Sequence, residues 1–283
     1  MLGNYLIGLR EGLEAALVVS ILITYLVRTD RRQFIRFVTY GVAVAVVFSI
    51  IVGTVLQVTE STLSENVEPI FAGTISFLAV GFVTWMIFWM KRSARTISGD
   101  LRNKLDAAAV TGSGIAVASM AFAAVAREGT ETAIFFWAAA HANGNELASL
   151  AGLILGLGTA VVLGIAFYRS TIKLNLTSFF KVTGVLLTIV AAGVLSYGIH
   201  EFQEIGWLAG EDNVVLNLGS VLPAGSVLAT IMAGLFNLTA KTSALQAVAW
   251  FAYVVVVLAL FVGKSTEKDA ADQPSQKSEP ANV

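Results

Sequence analysis

The sequence predicts an all-α membrane protein of seven transmembrane helices: an inverted 3+3 repeat plus a seventh helix, N-terminus outside and C-terminus inside. Three observations predict it: long charge-poor apolar runs, loops that alternate between basic and acidic, and a charged five-residue motif that occurs twice. Composition agrees, since 56% of the 283 residues are hydrophobic and 13% charged, against about 25% charged in a soluble domain. With no cysteine, disulfides, thiolate metal sites and Cys nucleophiles are excluded.

The apolar runs fall at about 3–27, 37–58, 69–90, 113–140, 147–168, 178–199 and 245–263. Each approaches the ~20 residues that cross a bilayer, and a lipid-exposed backbone must satisfy its own hydrogen bonds, which makes them helices. The first run contains Arg10 and Glu11 and lacks a basic n-region and cleavage site, so it reads as a retained helix rather than a signal peptide. Residues 214–236 carry no charge but are interrupted by Asn217, Gly219, Ser220, Pro223, Gly225 and Ser226. They are expected to form an interfacial or re-entrant element; the opposite reading gives eight spans and moves the C-terminus across the membrane. The permease-like body covers 1–263: repeat 1 at about 1–91, repeat 2 at about 107–200, an outer loop at about 201–244 and a last helix at about 245–263. The polar segment 264–283 reads as a disordered cytoplasmic tail.

Loop charges set the orientation. Arg28, Arg31, Arg32 and Arg36 follow the first run, Lys91, Arg92, Arg95, Arg102 and Lys104 the third, and Arg169, Lys173 and Lys181 the fifth. The intervening loops hold Glu60, Glu65, Glu68, Glu146, Glu201, Glu204, Glu211 and Asp212, with Lys241 as their base. Basic loops face the cytoplasm, and an acidic outer face would concentrate cations. Trp85, Trp89 and Trp137 lie near run ends and suit an aromatic belt.

The chemistry is carried by Arg10-Glu11-Gly12-Leu13-Glu14 and Arg127-Glu128-Gly129-Thr130-Glu131, both well inside apolar runs. At a rise of ~1.5 Å per residue, Glu14 and Glu131 lie near mid-membrane. Glutamates three apart share a helix face, as do Arg and Glu four apart. The intervening glycine lets a neighbouring helix or an ion approach closely. A charge at a helix centre costs about 2.5–3.5 kcal/mol, so six would cost roughly 15–20 kcal/mol if simply added. Buried Arg–Glu bridges would explain one glutamate per arginine, yet each copy has two. The surplus carboxylates call for a proton or a cation. Each copy opens a block of three runs, which would invert one relative to the other and place a site at their interface. Four carboxylates without thiolate suit hard cations such as Fe(III), Mn, Mg or Ca.

On the outer side, His200, Glu201 and Glu204 end the sixth run, and Glu65 and Glu68 precede the third. They form a candidate metal-collecting mouth, against the ordinary reading of His200 as a helix-end dipole partner. His141 reads as a loop residue, and Met86 to Met90 as packing and belt.

The doubled motif, with Thr84-Trp85-Met86-Ile87-Phe88-Trp89-Met90 and Ser196-Tyr197-Gly198-Ile199-His200-Glu201-Phe202-Gln203-Glu204, resembles the oxidase-dependent iron permeases over about residues 1–263. The resemblance implies seven spans, an outside N-terminus and iron uptake through the motif glutamates at the plasma membrane, the inner membrane in bacteria. It also implies an extracytoplasmic partner that oxidises or presents iron: a multicopper oxidase in fungi, a periplasmic iron-binding protein and a haem peroxidase in bacteria. Members of that family often carry Glu-Gly near the start of the third helix, where this chain reads Phe71-Ala72-Gly73-Thr74. A carboxylate role there would pass to Glu68 or be absent.

The expected metal ligands are therefore Glu11, Glu14, Glu128 and Glu131 at the midplane and Glu68, His200, Glu201 and Glu204 at the mouth, with Arg10 and Arg127 supporting the former. Iron, as Fe3+, is expected as cargo rather than as a resident cofactor, with no catalytic residue. The same ligands admit Mn2+ or Pb2+. An intramembrane di-iron enzyme is disfavoured, because such centres draw on Glu-x-x-His helices and neither histidine has a glutamate at that spacing. A structural membrane scaffold is the remaining reading.

Overall fold

The computed structural model describes residues 1–64, 67–93, 113–143, 145–169, 176–210, 213–217 and 241–271. Its helices are α1 (Leu2–Arg28), α2 (Ile35–Ser61), α3 (Glu68–Ser93), α4 (Gly114–Asn143), α5 (Glu146–Tyr168), α6 (Leu176–Glu204) and α7 (Ala244–Ala271). Each covers one predicted apolar run. Two short strands, β1 (Val214–Asn217) and β2 (Lys241–Ser243), pair antiparallel just before α7. Of the segment expected to be interfacial, 214–217 is thus extended chain, and 218–236 lies outside the described residues. The helix of α7 runs past 263 to Ala271, into the segment expected as tail; the first proline that would stop it is Pro274.

Five helices are long and apolar enough to cross a membrane: α2, α3, α5, α6 and α7. The length of α1 and α4 is also sufficient, at 27 and 30 residues, but each carries the three charges of its motif. Those of α1 are not turned outward, Arg10 and Glu11 being 1% and 0% exposed, whereas on α4 Arg127 is only half-buried. The two helices that carry these charges pack against each other and against helices of both halves.

Small residues set the packing. On α5, Gly152, Gly156, Ala160 and Gly164 recur every four residues and are buried. They face Met1, Tyr5, Gly12 and Ala16 of α1 in increasing order, so α1 and α5 run parallel. On α2, Gly41 faces Ala118 and Ala121 of α4, Gly53 faces Ala133, and Gly129 of α4 faces Ser49, so α2 and α4 also run parallel. Such stripes let backbones approach where there is no hydrophobic drive between helices. Gly73, Gly198 and Gly184 place α3 antiparallel to α6, against Phe202, Ser76 and Ile87 respectively. The extensive helix pairs are α1–α5, α2–α4, α3–α6, α1–α4 and α6–α7. Exchanging α1, α2 and α3 for α4, α5 and α6 leaves the first four pairs unchanged.

The largest core cluster joins α1, α3, α4 and α6 through Ile7, Ala79, Val83, Phe135, Ala138, Leu187 and Val194. A buried polar network docks α7 on α6. Ser243 Oγ donates to Gln203 Oε1 (2.9 Å), and Gln246 Nε2 donates to the Ser196 carbonyl (3.1 Å).

Candidate metal centre

The motif residues converge where α1 crosses α4. Carboxylate oxygens of Glu11, Glu128 and Glu131 lie within 4.8 Å of one another. Glu14 completes the group, within Coulombic reach of Glu131, Arg127 and Glu128. Close approach of the helices depends on the motif glycines. A Cβ on Gly12 would stand 2.8 Å from Ala160 Cβ, and one on Gly129 would overlap the Ser49 side chain. Each motif therefore leans on the second helix of the other half.

The two arginines are held differently. Arg10 Nη1 lies 3.4 Å from Glu11 Oε1, and its Nε lies 3.3 Å from Glu14 Oε1. The guanidinium also donates to the sulfur of Met86 at 3.2 Å, so a residue expected to be mere packing touches the centre. Arg127 Nε donates to Glu131 Oε1 at 3.0 Å and stands 4.0 Å from Glu128 Oε1. Its guanidinium lies over the Trp89 ring, 4.4 Å from the centroid, a cation–π contact that offsets desolvation. Beside Arg127 and Glu131, a cavity of about 430 Å³ opens between α2, α3 and α4, lined by Phe48, Phe82, Trp85 and Phe122.

Pairing does not exhaust the centre. Glu11 Oε2, Glu128 Oε2, Glu131 Oε2 and Arg127 Nη2 are buried without a hydrogen-bond partner, whereas Glu14 Oε1 and Arg10 Nε face each other as an ion pair. Buried polar atoms are almost always satisfied, so the orphan oxygens on Glu11, Glu128 and Glu131 mark a place for a cation. The donors are all oxygen; no imidazole joins them among the described residues.

Comparison with known proteins decides the family. The Iron permease FTR1 family matches residues 1–266. The chain belongs to that family. It is 36% identical over 260 residues to the ferrous iron permease EfeU of Escherichia coli O6:H1, covering 91% of this chain and 94% of that relative. It is 36% identical over 259 residues to the ferrous iron permease EfeU of Yersinia pestis, covering 91% and 92%. No solved structure matches. The protein is an iron permease, a multi-pass protein of the bacterial inner membrane.

The end of the bundle expected to face outward is arranged differently from the sequence expectation. Glu68, Glu201 and Glu204 share one electrostatic neighbourhood, and Tyr197 hydrogen-bonds Glu201. Glu65 lies outside the described residues. His200 makes no hydrogen bond or ion pair among the described residues, because successive helical residues diverge by about 100° and Glu201 takes the inward direction. Its place is taken by His141, which is no loop residue but the last turn of α4, and by Glu60 at the end of α2. His141 Nε2 lies 2.7 Å from Glu60 Oε1, and Trp137 Nε1 donates to Glu60 Oε2 at 3.2 Å. Trp137, expected in the belt, is instead 2% exposed, since its buried N–H finds a carboxylate acceptor. Glu68 sits at this same end, near Glu60 and Glu201, and is not part of the Glu11, Glu128 and Glu131 group.

Proposed function

We propose that the permease takes up iron through Glu11, Glu14, Glu128 and Glu131, with Arg10 and Arg127 keeping the carboxylates apart and charged. One observation carries this reading: carboxylates of Glu11, Glu128 and Glu131 from two opposed helices converge, and each keeps a buried oxygen without a partner, with Glu14 beside them on Arg10. Seven spans with the N-terminus outside fit the loop charges. The parallel α1–α5 and α2–α4 pairs fit a 3+3 inverted repeat with its site at the repeat interface. The acidic outer end would collect iron supplied by an extracytoplasmic protein that oxidises or presents it.

An oxygen-only ligand set favours Fe3+. The names of the relatives, ferrous iron permeases, favour Fe2+, and uptake measured with and without a reductant separates the two. Mn2+ or Pb2+ sharing the site would show as competition against radioactive iron. A di-iron enzyme is less well supported, because the glutamate group has no imidazole.

The test is cellular uptake of radioactive iron by Glu14→Gln and Glu131→Gln variants. Gln keeps the side-chain shape and deletes its charge. Uptake is expected to fall to background; normal uptake by both variants at normal abundance refutes the proposal.

A further inference from the structure

Asn4 of α1 has no part in the glutamate group, yet it is fully buried and neither of its amide atoms has a hydrogen-bond partner. Burying such a group unmatched is costly. The amide can be turned either way without losing a bond, so its oxygen is free in both assignments. It shares the face of α1 that carries Glu11 and lies about 10 Å along the helix from it. Ser76 of α3 matches it. Its hydroxyl is also fully buried and unpartnered. A Cβ on Gly198 of α6 would stand 3.0 Å from Ser76 Cβ, which puts Ser76 about one turn of α6 from Glu201.

An apolar layer separates both residues from the carboxylates. Ile7, Ala79, Phe135, Ala138, Leu187 and Val194, from α1, α3, α4 and α6, meet around a cavity of about 20 Å³ lined by apolar side chains alone. Ile7 lies between Asn4 and Glu11 on their common face, and Phe135 is one turn of α4 from Glu131. Ala79 is one turn of α3 from Ser76. Asn4 and Ser76 therefore border this layer on the side away from Glu11, from two helices that both face the cavity.

We propose that Asn4, with Ser76 across the bundle axis, is a further cation-binding site, where neutral oxygens hold the ion between the acidic end at Glu201 and the glutamate group. The site rests on the iron-permease reading of that group. Amide and hydroxyl oxygens are hard donors that suit a hard cation. Being uncharged, they bind the ion weakly enough to release it across the apolar layer, as a conducting path requires.

Influx of radioactive iron into vesicles holding the purified full-length protein tests it, alongside thermal unfolding in detergent. Asn4→Leu keeps the bulk and deletes both polar atoms. It is expected to raise the KM for iron about tenfold or more, with an unfolding temperature at or above that of the wild type, because an unmatched buried amide adds nothing to folding. Asn4→Asp supplies a charged oxygen and is expected to lower both the KM and the maximal rate. Ser76→Ala, which removes one hydroxyl, is expected to raise the KM several-fold. Wild-type KM in Asn4→Leu overturns the proposal, as does a raised KM in Asn4→Asp. A raised KM in Asn4→Leu with a lower unfolding temperature also overturns it, since that marks a structural role. Failure of this site alone leaves Glu14→Gln and Glu131→Gln inactive while Asn4→Leu transports normally; failure of the glutamate reading leaves those two variants active.

Discussion

Arg10 of α1 donates to the sulfur of Met86 on α3 at 3.2 Å, although two carboxylates lie within 3.4 Å of the same guanidinium. A thioether is a weak acceptor, and here it takes a hydrogen bond from the same Nη1 that faces Glu11. On the other motif, Trp89 of α3 underlies Arg127. One helix therefore orients both arginines, from positions 86 and 89.

Met86→Leu preserves volume and removes the sulfur. Such swaps cost less than about 1.5 kcal/mol, so the protein is expected to accumulate normally. Iron uptake is expected to fall several-fold, because Arg10 loses its anchor on α3. Uptake kinetics at matched abundance check this, and wild-type kinetics would reduce Met86 to filling.

Removing the arginine itself is more severe. Arg10→Gln leaves Glu11 and Glu14 buried without their counter-charge, which costs on the order of 3–5 kcal/mol. Thermal unfolding in detergent is expected to show a large loss, partly restored by adding Glu14→Gln. Equal stability of Arg10→Gln and wild type would contradict the pairing.

The glycine of the first motif gives a reciprocal prediction. Gly12→Ala places a methyl against Ala160 Cβ, 2.8 Å away before relaxation, and overpacking of this kind costs about 1–3 kcal/mol. Ala160→Gly in the same chain is expected to recover most of that loss. Thermal stability of the single and double variants checks it; no recovery would place the clash elsewhere.

Much of this architecture was legible in the residues. The seven apolar runs coincide with α1–α7 because bilayer thickness fixes their length, and the doubled motif named the four central glutamates because spacing on one helix fixes their common face. What local spacing cannot carry is contact between distant helices. Glu60 and His141 are 81 positions apart, so they read as a loop charge and a stray histidine. His200 drew attention by sitting beside Glu201, yet adjacency along a helix separates side chains. The four-residue stripes at Gly41, Ala45, Ser49 and Gly53, and at Gly152, Gly156, Ala160 and Gly164, were visible in the sequence. They would have indicated which helices approach closely, and so a symmetry that resemblance beyond the motif is too weak to show.

Influx of radioactive iron into vesicles reconstituted with purified permease is the most direct measurement. Glu128 belongs to the three-carboxylate group with Glu11 and Glu131, so Glu128→Gln is the decisive variant. Saturable influx is expected with the wild type and none above protein-free vesicles with Glu128→Gln. Influx at the wild-type rate through Glu128→Gln, correctly folded and equally incorporated, would show that iron crosses the membrane without these carboxylates.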